Sequence, residues 1–456
     1  MKPVIALIGA GSTSFTVSVV KDIILSDGLQ DCTLRLMDID ATRLYDAQQA
    51  AESYLAEAAS GIRIEAHLDR HAALDGADFV ICAVKIGGYE PLEAERAIAE
   101  AHGYYRGIGD RVSCYFGGIG AYWQIRFLAE LAADMLSLCP EAWLVQTANP
   151  VLDGTNYLTR HTGIKAAGVC HGHFQAYAIA DILGLDRDKV SAEMSGLNHY
   201  IFLTDFRYEG KDAYPLLDQW IEDKSEAYWQ SEAYNTPGVF GFLPEELCPG
   251  AIDAYRLYGL MPIGDTIRSA SPWWHHENLA TKEKWYGAGG GFDSEICWKQ
   301  YLSQKDDHQA KIRAAMESGE SMTTVSPLTP SGEQHIPLIN AMVTDRYERL
   351  TLNIRNDGCL PGIPDDVIVE TPAMVSARGI QGIKQNALPR RILDNIIFPR
   401  ICTMNNLHDA YEQGDRMPLV LELMRDPRTR SLKQAQNLID ELLRQPWNAD
   451  ADRHYR

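Results

Sequence analysis

The stretch GVCHGHF, residues 168–174, places a thiol beside imidazole groups. Cys170, His171 and His173 in this spacing are compatible with a metal site, with a nucleophile and its base, or with the buried end of a strand. Free cysteines pack like small hydrophobic residues, so the third interpretation is the ordinary one for an isolated cysteine. A nucleophile–base pair of Cys170 with either histidine is disfavoured, because residues an odd number apart on a strand point to opposite faces. The surrounding elements therefore decide the chemistry.

The elements around Cys170 are predicted from hydrophobic patterns. Short apolar runs separated by helical segments predict buried strands of a doubly wound parallel α/β sheet: VIALIGAG, TLRLMDID, DFVICAVKIGG and AWLVQTANP. Downstream, IKAAGVCHG predicts a strand, FQAYAIADILG a helix ending at Gly184, and SGLNHYIFL a strand or its approach. Cys170 and His199 then lie at the ends of successive strand–helix–strand elements. Because open α/β sheets collect ligands at the carboxyl ends of their strands, the two side chains are expected to converge.

The N-terminal segment IGAGSTS predicts a dinucleotide site. Two glycines directly follow the first strand at the opening of a helix, where backbone N–H groups receive a pyrophosphate, although Ser14 replaces the third glycine of the fingerprint. Asp38 closes the second strand in LMDID, where its carboxylate accepts hydrogen bonds from ribose hydroxyls and repels a 2′-phosphate. The predicted NAD-binding residues are Gly9, Gly11, Ser12, Thr13 and Asp38. Tight packing of strand on helix is the alternative interpretation, and Arg43 leaves NADP open.

Two asparagines stand at the ends of predicted strands, Asn149 in TANP and Asn198 in GLNH. Their amides are suited to sugar hydroxyls. The alternative for each is a turn-forming asparagine that satisfies local backbone groups.

Composition narrows the class of protein. The chain has 456 residues, enough for two domains, and its formal net charge of −20 makes nucleic-acid binding through a basic face unlikely. The N-terminus does not read as a signal peptide, and no stretch approaches the roughly 18 uninterrupted apolar residues of a membrane helix. We therefore expect a cytoplasmic protein with no membrane partner, in which Cys170 is a free thiol or thiolate.

The motifs IGAGS, LMDID, TANP, GVCHGH and GLNH, in this order, resemble glycoside hydrolase family 4, the NAD-dependent, metal-requiring glycosidases. Similarity continues through AYPLLDQWIEDKS, YRLYGLMPIGDTIR, EKWYG, DSEICWK and SGEQHIPLINA, and is strongest to the bacterial α-glucosidases of the family. The resemblance implies a Rossmann-like NAD-binding domain, residues 1–198, and a lactate-dehydrogenase-like α/β domain, residues 199–456, for substrate binding and oligomerisation. A homodimer or homotetramer is implied too.

The resemblance also implies a mechanism. NAD+ accepts hydride from sugar C3, the C2 proton becomes acidic, elimination expels the aglycone, water adds, and the hydride returns. A divalent cation held by Cys170 and His199 would chelate O2 and O3 and stabilise the enediolate. The usual metal of the family is Mn2+, although a thiolate and an imidazole suit later transition metals by softness.

Roles for other residues follow from the same resemblance. Asp265 in MPIGDTIR would be the base at C2, in a position where the phospho-sugar members carry tyrosine; a helix N-cap is the alternative. His171 would contact the sugar, protonate the leaving oxygen or orient the metal shell. The predicted sugar-binding residues are Asn149, Asn198 and Arg268.

The substrate is expected to be a small unphosphorylated α-glycoside. Phospho-sugar members carry an arginine shortly after a GG pair, whereas here IGGYEPLEAE supplies Glu90 and Glu93 before Arg96. The form CHGH favours an α-glucosidase, with α-glucuronidase and α-galactosidase as alternatives. An NAD-dependent polyol or hydroxy-acid dehydrogenase, which would accumulate NADH, and a non-catalytic sugar sensor are the hypotheses from other classes.

Overall fold

The structure is a computed structural model that describes residues 2–107, 121–238 and 241–456. Thirteen strands of the described ranges form one mixed sheet. They are β1 (Val4–Ile8), β2 (Thr33–Met37), β3 (Arg63–His67), β4 (Phe79–Cys82), β5 (Trp143–Gln146), β6 (Lys165–Gly168), β7 (Val190–Leu197), β8 (Tyr200–Tyr208), β9 (Lys211–Asp212), β10 (Pro262–Ile263), β11 (Glu348–Arg355), β12 (Ile368–Ser376) and β13 (Gly379–Gly382).

Helices connect and cover these strands. Within the described ranges they are α1 (Thr13–Ile24), α2 (Ala41–Glu57), α3 (Arg70–Leu74), α4 (Glu90–Ala101), α5 (Ala121–Leu138), α6 (Val151–His161), α7 (Gln175–Leu183), α8 (Tyr214–Trp229), α9 (Glu232–Asn235), α10 (Pro249–Tyr258), α11 (Thr266–Ser269), α12 (Leu279–Tyr286), α13 (Glu295–Ser318), α14 (Met322–Val325), α15 (His335–Thr344), α16 (Arg390–Ile392), α17 (Phe398–Gln413), α18 (Met417–Met424), α19 (Leu432–Leu443) and α20 (Ala449–His454).

The N-terminal half of the sheet is parallel, in the order β3-β2-β1-β4-β5-β6. Helices cover both faces, so the central strands are apolar along their length: Ile5 and Leu7 of β1 pack in one core cluster, and Ala6 and Ile8 in another. This arrangement confirms the predicted doubly wound parallel sheet.

The remaining strands continue the same sheet in antiparallel order, β11, β12, β7, β8 and β10. The two halves join through one residue pair, Asn353 of β11 opposite Gly168 of β6. Within the antiparallel half, β12 and β7 also pair through one residue pair, Glu370 opposite Gly196. Asn353 also faces Glu370. We call these four residues the bridge row; it carries two polar side chains through the middle of the sheet.

The segment SGLNHYIFL is two strands and not one. β7 ends at Leu197 and β8 begins at Tyr200, and the pairing of these two residues leaves Asn198 and His199 as a two-residue turn. The backbone at His199 is left-handed, with φ 61°. Strand side chains alternate between the two faces of the sheet, whereas side chains in a turn do not. The strand pattern therefore does not determine where these two side chains point.

The core of the parallel half also contains later parts of the chain. Val20 and Ile23 of α1 share one hydrophobic cluster with Leu338 and Ile339 of α15. The predicted boundary after residue 198 falls inside the β7–β8 turn, and the division into 1–198 and 199–456 stays a prediction. No helix in the described ranges has the length and hydropathy needed to cross a membrane.

A buried ion pair joins the two halves beside the sheet. Arg400 of α17 donates to both carboxylate oxygens of Asp153 of α6, with Nη1 to Oδ1 at 3.0 Å, and Asp153 is fully buried. We expect Arg400→Met to lower the free energy of unfolding by about 3–5 kcal/mol, because the substitution leaves a buried carboxylate without its partner. Urea unfolding followed by tryptophan fluorescence measures the change. A loss below about 1 kcal/mol would contradict this account; Arg390→Met, at an exposed pair, is the control.

Candidate active site

The loop between β1 and α1 is shaped to approach an anion. Gly9 has φ +92°, and a Cβ at this position would lie 2.8 Å from a methyl carbon of Val84, so only glycine fits without displacement. Ser12 is the N-cap of α1, but its side chain makes no capping hydrogen bond. The N–H groups of the first turn of α1 are therefore available to a phosphate.

The end of β2 presents Asp38 beside this loop. Its carboxylate accepts hydrogen bonds from the backbone N–H of Gly11 at 2.8 Å and of Asp40 at 3.0 Å. Asp40 in turn caps α2, because its side chain accepts hydrogen bonds from the N–H groups of Thr42 and Arg43. The strand predicted from LMDID therefore ends before this cap. Arg43 also donates from Nε to the carbonyl oxygen of Gly11 at 3.3 Å.

A single cavity of about 1210 Å³ connects the loop with the predicted chemistry. This volume exceeds the roughly 300–1,000 Å³ of a typical drug-sized pocket. Of the predicted residues, its wall contains Gly9, Ser12, Asp38, Asn149, Cys170, His171, His199 and Asp265. Gly11 and Thr13 do not line this cavity, and the Thr13 side chain is buried. The structure therefore brings the thiol, the imidazole and the carboxylate to the same space as the dinucleotide loop.

His199 occupies the β7–β8 turn at the wall of this cavity. Its Nε2 lies 3.3 Å from Oδ2 of Asp265, and its carbonyl oxygen accepts a hydrogen bond from the Ser269 hydroxyl. Burial lowers the pKa of His199, although Asp265 opposes that shift. The neutral imidazole is thereby favoured, which is the form that binds metal ions.

Cys170 was predicted at the end of a strand; β6 ends at Gly168, and Cys170 lies two residues further on. Burial raises the pKa of the Cys170 thiol, and the carboxylate of Glu370 raises it further. Hydrogen bonds from the Gly172 N–H and from the Asn198 side chain act in the opposite direction. A thiol in this environment needs a cation beside it to become a thiolate.

Asp265 stands at the N-cap position of α11, but its side chain makes no capping bond. One carboxylate oxygen accepts instead from Nη2 of Arg268, and the other faces His199. Burial raises the pKa of Asp265, and His199 lowers it. The carboxylate is thus oriented at the cavity and is not used to close the helix.

A buried charge network holds Arg268 from behind. Its Nη1 donates to Glu245, and its Nε lies 3.8 Å from Oδ1 of Asp293. The same Asp293 oxygen lies 2.7 Å from Nζ of Lys282, which is completely buried. The sequence analysis missed Glu245, Asp293 and Lys282, although Asp293 opens the DSEICWK segment and Lys282 stands just before EKWYG. Charged residues in irregular segments look like surface residues until the fold buries them.

The predicted sugar-binding residues Asn149, Asn198 and Arg268 all line a second, smaller cavity of about 30 Å³. It shares His199 and Asp265 with the large one, so the two are neighbours. Among the described residues Oδ1 of Asn149 has no hydrogen-bond partner. The amide of Asn198, by contrast, is engaged: Nδ2 donates to Oε2 of Glu370 at 2.9 Å.

His171 lies beside Cys170 with an exposed side chain. Its Nδ1 lies 3.2 Å from Oε1 of Glu333. Glu333 lines the large cavity and is another residue that the sequence analysis missed. Because the Glu333 carboxylate contacts Nδ1 of His171, Nε2 is the ring nitrogen left for contacts with other groups. SGEQH already contains Glu333, but nothing in its local spacing connects it with Cys170.

The structure has a dehydrogenase-like α/β sheet, and its dinucleotide loop opens into a cavity with a thiol, an imidazole and a carboxylate. These features define a class of enzymes that bind a nucleotide and act on polar small molecules. The chain belongs to the glycosyl hydrolases of family 4: Family 4 glycosyl hydrolase matches residues 4–185, and Family 4 glycosyl hydrolase C-terminal domain matches residues 194–429. The family prediction is confirmed.

Curated relatives of the chain differ in the sugar that their names give. The α-glucosidase of Erwinia rhapontici is 25% identical over 97% of this chain and 98% of its own length. The α-galacturonidase of Thermoanaerobacterium saccharolyticum is 24% identical over 96% and 94%. The α-galactosidase of Bacillus subtilis is 32% identical, but the match covers 48% of this chain and 51% of that protein.

Solved structures confirm the fold. A 6-phospho-α-glucosidase from gut microorganisms, in complex with NAD and Mn2+, superposes with a TM-score of 0.75 at 16% identity, over 97% of this chain and 98% of that one. The lactate dehydrogenase of Eimeria maxima, with NADH and oxamate, superposes with a TM-score of 0.51 at 12% identity, over 91% and 96%. The predicted Rossmann-like and lactate-dehydrogenase-like architecture is therefore correct.

Proposed function

We propose that this chain is an NAD- and divalent-metal-dependent α-glycosidase that hydrolyses unphosphorylated α-glycosides, with α-glucosides as the first candidates. The observation that carries the proposal is the single cavity that joins the Gly9 loop to Cys170, His199 and Asp265. A hydrolase with paired carboxylates needs no dinucleotide loop beside its site. The solved relative with NAD and Mn2+ supports both cofactors.

The residues present fit these groups. The turn after β1 and the uncapped start of α1 would receive the pyrophosphate, and Asp38, in the wall of the same cavity, would accept from the ribose hydroxyls. In the described ranges no group of three or more His, Cys, Asp or Glu side chains could hold a metal ion. Cys170 and His199, which line the same cavity, would supply two donors. A two-donor site leaves coordination positions for sugar oxygens.

The loop after β1 would hold NAD+, which would supply a reversible hydride acceptor for the sugar, and Cys170 and His199 would hold the cation, which would supply Lewis-acid polarisation of sugar oxygens. Asp265 removes the C2 proton, which is acidic next to a C3 carbonyl, and Arg268 keeps its carboxylate aimed at the cavity. His171 would donate a proton to the leaving oxygen; its position in the wall of the large cavity and the contact of its Nδ1 with Glu333 support this role. Asn149 offers a free amide oxygen for a sugar hydroxyl.

The preference for an unphosphorylated sugar rests on the residues that follow Gly87 and Gly88. The first arginine after this pair, Arg96, is almost fully buried, pairs with Glu93 at 2.7 Å and packs on Trp298. It does not line the large cavity. The names of the relatives leave glucose, galactose and galacturonic acid in competition, and the form CHGH favours glucose.

A second candidate function is an NAD-dependent polyol or hydroxy-acid dehydrogenase, favoured by the structural likeness to lactate dehydrogenase. The two functions differ in the fate of the hydride. A dehydrogenase accumulates NADH in proportion to product, whereas the glycosidase returns the hydride and shows no net NADH.

The test is hydrolysis of a nitrophenyl α-glucoside in D2O by the wild-type enzyme with NAD+, Mn2+ and a thiol reductant. We expect deuterium at C2 of the released glucose, because the abstracted proton exchanges with solvent before C2 is reprotonated. Proton NMR of the product measures it, and glucose incubated without enzyme is the control. Product without C2 deuterium from the NAD-replete enzyme would exclude elimination, since direct displacement by two carboxylates never breaks that bond.

A further inference from the structure

Glu370 is a buried carboxylate in the middle of the sheet. It lies on β12 within the buried run IVETPA and has no exposed surface. The side chains that affect the pKa of its carboxyl group are the amides of Asn198 and Asn353 and a second carboxylate, Asp265. A buried carboxylate without a cation is costly, so its presence points to a function.

The bridge row brings Glu370 close to the active site. The bridge row ends in a glycine on each side, Gly168 of β6 and Gly196 of β7. A Cβ at Gly196 would lie 2.1 Å from the carbonyl oxygen of Tyr200, so the backbone of the β7–β8 turn approaches closely here. Glu370 pairs with Gly196, which lies two residues before Asn198 of the turn that carries His199.

The hydrogen bond of Glu370 connects it with the turn that carries His199, one of the two proposed metal donors. Oε2 accepts from Nδ2 of Asn198 at 2.9 Å. Asn198 precedes His199 in the two-residue turn, and Glu370 lines the large cavity together with His199 and Cys170. Asn198 is 3% exposed, which leaves little of it for a sugar.

We propose that Glu370 and Asn198 are positioning residues of the metal site: Glu370 holds the Asn198 amide, and Asn198 fixes the turn of His199 against the loop of Cys170. The inference rests on the proposed metal-dependent function. It replaces the predicted sugar contact of Asn198 with a structural link between the two donors. Groups that orient metal ligands contribute about 10- to 100-fold to metal affinity.

The experiment measures Mn2+ binding by EPR on the full chain, stripped of metal and saturated with NAD+. We expect Asn198→Ala and Glu370→Leu to weaken Mn2+ binding about 10- to 100-fold, with NAD+ affinity within about twofold of wild type. Glu370→Gln should lose less than about fivefold, because a glutamine oxygen still accepts from Asn198.

A matched control is available at α4. Glu95 is also buried, and its Oε1 accepts from Nδ2 of Asn448 at 2.8 Å, so Glu95→Gln repeats the same substitution on the same kind of pair away from the cavity. We expect this variant to bind Mn2+ as the wild type does. If Glu95→Gln lost as much Mn2+ affinity as Asn198→Ala, the proposal would be overturned. The loss would then follow from a change in any buried glutamate–asparagine pair and not from the metal site.

Two results distinguish the inference from the function on which it rests. If the wild-type chain binds no Mn2+, the proposed metal dependence fails. If the wild type binds Mn2+ and Asn198→Ala binds it equally well while KM for the glucoside rises, only the inference fails and Asn198 contacts the sugar. Should Glu370→Leu not fold, Asn198→Ala and Glu370→Gln decide the question.

Discussion

Replacing Cys170 with serine is expected to lower metal-dependent turnover by about 10³-fold or more while NAD+ affinity changes less than about twofold. A metal contributes several kcal/mol of charge stabilisation, and each 1.36 kcal/mol corresponds to about tenfold in rate. A serine hydroxyl is a far weaker donor than a thiolate. The Gly9 loop follows β1 and Cys170 follows β6, so nucleotide binding and metal binding use different strands.

The measurements are turnover across a Mn2+ titration and NAD+ binding by fluorescence. Cys139→Ser is the control, because Cys139 is also a free cysteine but is buried away from the cavity. Parallel loss of turnover and NAD+ affinity in Cys170→Ser would show that the thiol serves folding. Wild-type turnover in this variant would remove Cys170 from the metal site.

Replacing Asp265 with asparagine is expected to separate the two halves of the chemistry. General base catalysis contributes about 10²- to 10⁴-fold, so release of nitrophenol and exchange at C2 should fall by about that factor. Asparagine keeps the size of aspartate, and its oxygen still accepts from Arg268. Hydride transfer from C3 requires no group on Asp265, so a single turnover should still show NADH absorbance.

Stopped-flow absorbance at the NADH maximum and NMR of the C2 position follow the two steps separately. Asp22→Asn serves as the control, because burial raises the pKa of Asp22 as it does for Asp265, yet its carboxylate accepts from Ser331 outside the large cavity. If Asp265→Asn exchanges C2 at the wild-type rate, another group is the base.

Local patterns determined much of this protein. Apolar runs with strand length, the glycines after β1 and the caps of the helices are properties of neighbouring residues, so the parallel half and the position of Cys170 after β6 were predictable from the sequence. The motifs IGAGS, LMDID and GVCHGH each lie within one strand–loop unit. They therefore identified the family and the candidate residues without knowledge of their distances.

Only the tertiary structure decided how those residues are held. The two strands hidden in SGLNHYIFL place His199 in a turn, and long-range pairing across the sheet brings Glu370 to Asn198, 172 positions apart. Glu370 and Lys282 are charged residues that look solvent-exposed in the sequence. Burial of a charge depends on packing between distant segments, and periodicity reports only local neighbours. The chemistry of the cavity was thus visible in residue types, whereas the network that orients it arose from contacts that no local pattern encodes.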